Sequence, residues 1–185
     1  TSFPNLATVH GSFVMRYVRS ISVPNLATVN RNFRAWYTSA TSLSFTNLVT
    51  VNGSFSISQN FVASLSVPIL ATVNGNFAIT SHRNGALNSV SVPNLSTVNG
   101  FFAIAGNHAV TSISVPNLAT VNGYVSLSSN FKLPSISVPN LATVNGYFKI
   151  LDNGALTSIS LPNLGTVNGD FLIEVHSASA HTVTT

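Results

Sequence analysis

The chain repeats one short unit eight times, from its first residue almost to its last. The unit reads S-[IVL]-S-[VL]-P-N-L-A-T-V-N-G, and successive copies lie 20 to 25 residues apart. The threonines of the T-V-N step are Thr8, Thr28, Thr50, Thr72, Thr97, Thr120, Thr143 and Thr166. Such a period is typical of a solenoid, in which each unit stacks on its neighbours and none folds alone. We therefore expect a single repeat domain over residues 1–175, followed by a polar tail over 176–185.

One repeat illustrates the expected coil. Polar and apolar residues alternate over 112–115 and again over 124–127, the period of a strand with one buried face. Pro116 ends the first segment because proline lacks the N–H that a strand ladder needs. The Asn122-Gly123 step predicts a turn with a positive φ. Since no segment has helical periodicity, the sequence predicts an all-β solenoid of about eight coils of 22–23 residues, each with three short strands.

Stacking in register would align identical side chains into interior columns. Burying each Ile, Leu or Phe contributes about 1.5–3 kcal/mol, so such columns can hold a rod together without disulfides. The first column consists of Ile21, Leu43, Leu65, Val90, Ile113, Ile136 and Ile159. The second consists of Leu6, Leu26, Leu48, Leu70, Leu95, Leu118, Leu141 and Leu164. The third consists of Phe13, Phe33, Phe55, Phe77, Phe102, Phe148 and Phe171, with Val125 as its exception.

Two rows of asparagine are interpreted as structural, bonding to turn backbone and to one another. The row after the proline position is Asn5, Asn25, Asn47, Asn94, Asn117, Asn140 and Asn163. The row at the third corner is Asn60, Asn84, Asn107, Asn130 and Asn153.

Charged residues make up only 5% of the chain, against about 25% in ordinary soluble proteins. Four of the basic residues lie towards the N-terminus and all three acidic residues towards the C-terminus, which is not the continuous basic stripe of a nucleic-acid interface. No apolar run approaches the roughly 20 residues that span a bilayer. We therefore expect neither a nucleic-acid partner nor a membrane span. The charges concerned are those of Arg16, Arg19, Arg31, Arg34, Asp152, Asp170 and Glu174.

Catalysis is not expected. The three acidic residues are too few to pair across a cleft, and the five histidines share no ligand spacing. The chain has no cysteine, and no serine or threonine lies in a recognisable nucleophile–base arrangement. The sequence thus predicts a non-enzymatic protein without a metal or other cofactor.

The unit L-x-S-[IVL]-S-[VL]-P-N-L-x-T-V-x-G-x-[FL]-x-I-x-x-N resembles the receptor-L-domain type of leucine-rich repeat. That family includes glycosylphosphatidylinositol-anchored fungal cell-wall proteins and many microbial surface proteins. The resemblance extends from residue 1 to about residue 173, although the cysteines and caps that often close such domains are missing. It implies a right-handed β-solenoid at the cell surface or outside the cell, and it implies no catalytic site.

The outward Thr-x-Asn row favours ice as the partner. Rows on a solenoid repeat every 4.7–4.9 Å, and residues two apart along a strand are separated by about 6.6–6.8 Å, so the face would form a ruled array. Such a row on a charge-poor solenoid resembles the Thr-x-Thr faces of several ice-binding proteins. In the first coil His10 replaces the asparagine. The predicted ice-binding residues are Thr28, Asn30, Thr50, Asn52, Thr72, Asn74, Thr97, Asn99, Thr120, Asn122, Thr143, Asn145, Thr166 and Asn168.

Other interpretations stay open. The outward Ser-x-Ser rows are the next candidate for an ice-binding face. Phe101, Tyr124 and Tyr147 form an outward aromatic row that would either stack on cell-wall polysaccharide or only stabilise the sheet. The repeats would also suit a structural or adhesive cell-surface protein. Open sheet edges and ends of opposite charge would suit a head-to-tail filament.

Overall fold

The computed structural model describes residues 1–80, 87–175 and 182–184, and in these ranges the chain winds into a parallel β-solenoid without any helix. The eight repeats, each called a coil below, complete about 7 full turns of ~23 residues, with three strands per coil. The all-β solenoid predicted from the repeat is therefore confirmed. Its right-handed sense stays a prediction.

Two sheets run through all eight coils, and every strand pairs in parallel with the same segment of the next coil. The register has no slips: Thr97, for example, lies opposite Thr72 on one side and Thr120 on the other. The Thr sheet contains Thr8–Val9, Thr28–Val29, Thr50–Val51, Thr72–Val73, Thr97–Val98, Thr120–Val121, Thr143–Val144 and Thr166–Val167. The Phe sheet contains Phe13–Arg16, Phe33–Trp36, Phe55–Ser58, Phe77–Thr80, Phe102–Ala105, Val125–Ser128, Phe148–Leu151 and Phe171–Glu174.

The Ser-x-Ser strands form two shorter sheets. Between the first two coils this side has only a single bridge, from Ser2 to Ser22. The first short sheet contains Ser42–Ser44, Ser64–Ser66, Ser89–Ser91 and Ser112–Ser114. The second contains Ser135–Ser137, Ser158–Ser160 and Thr182–Thr184, the last of which lies within the segment expected to be a tail.

The interior consists of the predicted columns. In the Phe column neighbouring rings stack with centroids 4.8 Å apart for Phe33 and Phe55 and 5.2 Å apart for Phe55 and Phe77. These distances are close to the spacing of paired strands, so the backbone register itself holds the rings in contact. Leucines 26 to 141 of the second column are buried, as are the valines of the Thr sheet from Val29 to Val144.

The columns weaken at one level of the rod. Val125 interrupts the stack of phenylalanine rings, because it pairs with Phe102 on one side and Phe148 on the other. At the same level the Ser strands separate into their two sheets, between Ser114 and Ser135. Ile113, which borders this gap, is only partly buried, whereas the other members of its column from Leu43 onward are buried.

The third corner is held by buried asparagines. The Nδ2 of Asn130 donates to the carbonyl of Ile104 (2.9 Å), and its Oδ1 accepts from the backbone N–H of Asn107 (3.3 Å). The backbone N–H of Asn130 in turn donates to Oδ1 of Asn153 (2.9 Å). The structural role predicted for this row is thus confirmed for Asn60, Asn107, Asn130 and Asn153, while Asn84 lies outside the described residues.

The residue before each buried asparagine, not the glycine of the Asn-Gly step, has the left-handed backbone. Among the described residues, positive φ occurs only at this third corner, for example 55° at Ser129 and 70° at Gly106. The expected positive φ at Gly123 is therefore wrong. The corner after the T-V-N step is made differently, by close stacking of one coil on the next.

Removing one buried amide should destabilise the rod far more than removing an exposed one. In Asn130→Ala the Ile104 carbonyl loses its buried donor, so the free energy of unfolding should fall by about 2–4 kcal/mol. Asn117→Ala removes one exposed bond, to the Pro93 carbonyl, and should cost only about 0.5–1 kcal/mol. Urea unfolding of the two variants measures the difference. Equal losses would contradict the structural role of the buried row.

Candidate functional site

The predicted Thr-x-Asn residues form one continuous outward face on the Thr sheet. Thr28 to Thr143 are half-exposed, Thr166 is exposed, and the asparagine of every pair is exposed. Each threonine pairs with the threonine of the neighbouring coil, so the hydroxyls and methyls form a straight column over eight coils. The structure thus brings all fourteen predicted residues together, in two parallel rows.

The threonine hydroxyls point to solvent without a protein partner. Within the described part of the chain, none of the hydroxyls in this row forms a hydrogen bond to protein. Threonine has a stiff χ1 because its Cβ is branched, and the valine next to it is fully buried from Val29 to Val144. The hydroxyls therefore remain available to water, while the buried valines hold the backbone of the strand in place.

The exposed asparagines form a ladder of their own. The Nδ2 of each amide donates to Oδ1 of the previous coil: Asn99 to Asn74 at 2.8 Å, Asn122 to Asn99 at 2.7 Å and Asn145 to Asn122 at 2.9 Å. The ladder continues in the same direction to Asn168 at one end and to Asn30 at the other. At the N-terminal end the Nδ2 of Asn30 lies 3.0 Å from Nδ1 of His10. Because each amide has one N–H and one oxygen lone pair committed, the side chains share one orientation.

Sequence analysis did not predict this ladder, although the signal was present. Identical amides stacked at strand spacing are within bonding distance of one another. The sequence analysis also missed the row of residues that precede the threonines. Most of their side chains are small, and all are at least partly exposed. That row consists of Ala7, Ala27, Val49, Ala71, Ser96, Ala119, Ala142 and Gly165.

Glycine keeps the corner beside the asparagine row tight. A Cβ on Gly123 would lie 2.7 Å from the carbonyl carbon of Gly100, and the N–H of Gly123 donates to that carbonyl at 2.9 Å. At the other glycines that follow the asparagine row, from Gly53 to Gly169, a Cβ would likewise come within 3.0 Å of backbone atoms of the previous coil. In the second coil Arg31 takes the glycine position, and its bond to Gly11 lengthens to 3.2 Å.

No ionisable residue lies in these rows from the third coil onward. Between Val49 and Gly169, the positions from the small residue before the threonine to the glycine after the asparagine contain only uncharged side chains. His10 and Arg31 are the exceptions, and both lie in the first two coils. Over six coils the face is therefore uncharged and repetitive.

The Ser-x-Ser rows are less regular. Their strands separate between Ser114 and Ser135, and the serines range from half-buried to exposed. A rigid planar array needs unbroken pairing from coil to coil, since the ladder fixes the row spacing. Of the two candidate faces, only the Thr-x-Asn face has that continuity.

The aromatic row on the Phe sheet is a stack of three rings. Centroids lie 4.6 Å apart for Phe101 and Tyr124 and 4.4 Å apart for Tyr124 and Tyr147. Burial and, next, the neighbouring Tyr147 phenol raise the pKa of Tyr124 above its ordinary value. The Nζ of Lys149 lies 4.4 Å from the Tyr147 ring centroid, so a cation covers that end of the stack. Most ring faces in this row are therefore already in contact with protein.

The described residues contain no group of three or more acidic, histidine or cysteine side chains placed to hold a metal ion. Within the same residues, no helix has the length and apolar character needed to cross a bilayer. His82, His176 and His181 lie outside the described ranges.

Comparison of the chain with models of protein families, with curated proteins and with solved structures finds no match in any of the three. The similarities to receptor-L-domain repeats and to ice-binding solenoids therefore rest on the residues of this chain alone.

Glycine at the tight corner should be essential for close stacking. Gly123→Ala places a methyl against backbone atoms of the previous coil, which cannot move aside, and should lower the free energy of unfolding by about 1–3 kcal/mol. In the control Gly165→Ala the nearest atom is 3.8 Å away, so stability should change by less than about 0.5 kcal/mol. Urea unfolding compares the two. A neutral Gly123→Ala would mean that the corner is looser than described.

Proposed function

We propose that the protein binds ice, without catalysis, through its Thr-x-Asn face. The observation that supports this most strongly is the unbroken register of the Thr sheet. It repeats one threonine over eight coils and the Thr/Asn pair over seven of them at strand spacing, and over the last six coils the face has no charge. An ice surface is itself a repetitive lattice, so many weak contacts can form together only if their spacing is fixed in advance.

The threonine row would supply both parts of the contact. Its methyl groups are apolar and favour ordered water, while its unpaired hydroxyls can hydrogen-bond to that water. Because χ1 is stiff, little side-chain entropy is lost when the surface binds.

The asparagine row would supply a second rank of fixed polar groups. One N–H and one lone pair of each amide are used within the ladder, for example between Asn122 and Asn99. The remaining N–H and lone pair of each amide are left for solvent. Holding the amides in one orientation before binding lowers the entropic cost of ordering them at the surface.

An extracellular or cell-surface location belongs to the same proposal, because ice is met outside the cell. The alternatives are a structural or adhesive cell-surface protein and the subunit of a filament. They share the solenoid but need no free, regular hydroxyl row. The experiment below separates them from ice binding.

Charge placed on the threonine row should abolish ice binding and leave the fold intact. The triple variant Thr97→Lys, Thr120→Lys, Thr143→Lys alters three outward side chains in adjacent coils. We expect thermal hysteresis and inhibition of ice recrystallisation to fall to background, because the lysines break the array and hold their own hydration water.

The matched control places the same three charges in the same coils on the Ser rows, as Ser89→Lys, Ser112→Lys, Ser135→Lys. This variant should keep the activity of the parent, and circular dichroism should show that both variants remain folded. Loss of activity only in the Ser variant would move the site to the Ser rows. A parent protein that does not affect ice growth would leave the structural alternatives.

A further inference from the structure

A groove of about 340 Å³ lies on the outer side of the Phe sheet, away from the Thr-x-Asn face. It arises because outward side chains are large in the second coil, small in the next two, and large again in the fifth. Arg34 and Trp36 stand on one side and Phe101 on the other, three coil steps or about 14 Å apart. Ser54, Ser56, Asn76 and Ala78 form the floor.

The floor presents mainly hydrogen-bond donors. The Oδ1 of Asn76 accepts from the backbone N–H of Phe101 at 3.1 Å, which fixes the amide so that its NH₂ group is left for a ligand. Likewise, Oγ of Ser54 accepts from the backbone N–H of Asn76 at 3.1 Å, so the hydroxyl proton remains to be donated. Because backbone N–H groups use these acceptors, the groove suits a ligand rich in oxygen acceptors.

Phe101 offers the open ring face of the aromatic row. Tyr124 covers its other face, and both faces of Tyr124 are covered by its two neighbours. The open face borders the groove, opposite the half-buried Trp36. A pyranose ring has a face of C–H groups that packs against an aromatic ring as an apolar surface.

The charge of the groove is positive. Arg34 is exposed and has no ion pair among the described residues. The three acidic residues of the chain begin at Asp152, which lies five coils beyond Arg34 and two beyond Phe101. A planar guanidinium beside donor groups favours a carboxylate, which it can bind through two parallel hydrogen bonds.

We propose that this groove binds an acidic polysaccharide, with the ring of one uronate residue on Phe101 and the carboxylate of a neighbouring uronate residue on Arg34. The donors of Ser54, Ser56 and Asn76 then meet the ring hydroxyls and carboxylate oxygens. The site lies on a different face from the threonine row, so this binding is independent of ice binding.

The single tryptophan of the chain makes the test direct, because Trp36 lies in the groove and its fluorescence reports this site alone. Titration of the full chain with an oligogalacturonate should change the emission saturably. A neutral oligosaccharide of the same length should produce no comparable change. Isothermal calorimetry of the same mixtures gives the dissociation constants.

Arg34→Gln should weaken binding of the oligogalacturonate by about tenfold to a hundredfold, since it removes a charge-assisted pair. Its control is Arg31→Gln, which removes the same charge from the same coil at a residue outside the groove, and should bind like the parent. Phe101→Ala should weaken binding about two- to tenfold. Tyr147→Ala, two coils from the groove in the same aromatic row, is its control.

Several results would overturn the assignment: no saturable response, an equal response to the neutral oligosaccharide, or equal losses in Arg34→Gln and Arg31→Gln. Tighter binding of a single-stranded RNA oligomer than of oligogalacturonate would overturn it as well. The triple threonine-to-lysine variant should bind the oligogalacturonate like the parent, so failure of either proposal is recognised separately.

Discussion

The structure depends on the register between coils. Each residue type lies directly on its counterpart in the previous coil, so that rings stack on rings, amides bond to amides and glycine backbones meet at van der Waals distance. A shift of one residue would turn every column inside out, because alternate side chains face opposite sides of a strand. The repeated sequence thus specifies one alignment strongly. The regular outer face follows from that same alignment.

Much of the coil stacking could be predicted from the sequence, because the period of a repeated sequence shows which residues of successive coils lie next to each other. The interior columns and the outward position of Thr120 follow from alternation within a repeat, and the structural role of the row around Asn130 follows from the preference of asparagine for turns. What alternation does not specify is the path of the backbone at each corner. An Asn-Gly step normally forms a turn with positive φ. Gly123 does not have a positive φ; a glycine is required there because a side chain would clash with the backbone of the preceding coil, and this contact depends on packing between repeats.

Departures from the repeat carry as much information as the repeat itself. Val125 interrupts the phenylalanine stack where the Ser strands also separate, so one substitution in a column coincides with a fault in a neighbouring sheet. The groove is a second case. It depends on the relative sizes of outward residues in coils two to five, from Trp36 to Phe101, and this signal appears only when the repeats are compared position by position.

The exposed asparagine ladder gives the rod a direction. From Asn168 back to Asn52 every amide donates to the asparagine of the N-terminal neighbouring coil, and from Asn145 back to Asn30 every amide accepts from the C-terminal one. The ladder therefore has a defined polarity, and the two directions along the solenoid axis are chemically distinct. A row of water molecules bound beside these amides would inherit that polarity, so two rods lying head to head on a common surface would order their water in opposite senses.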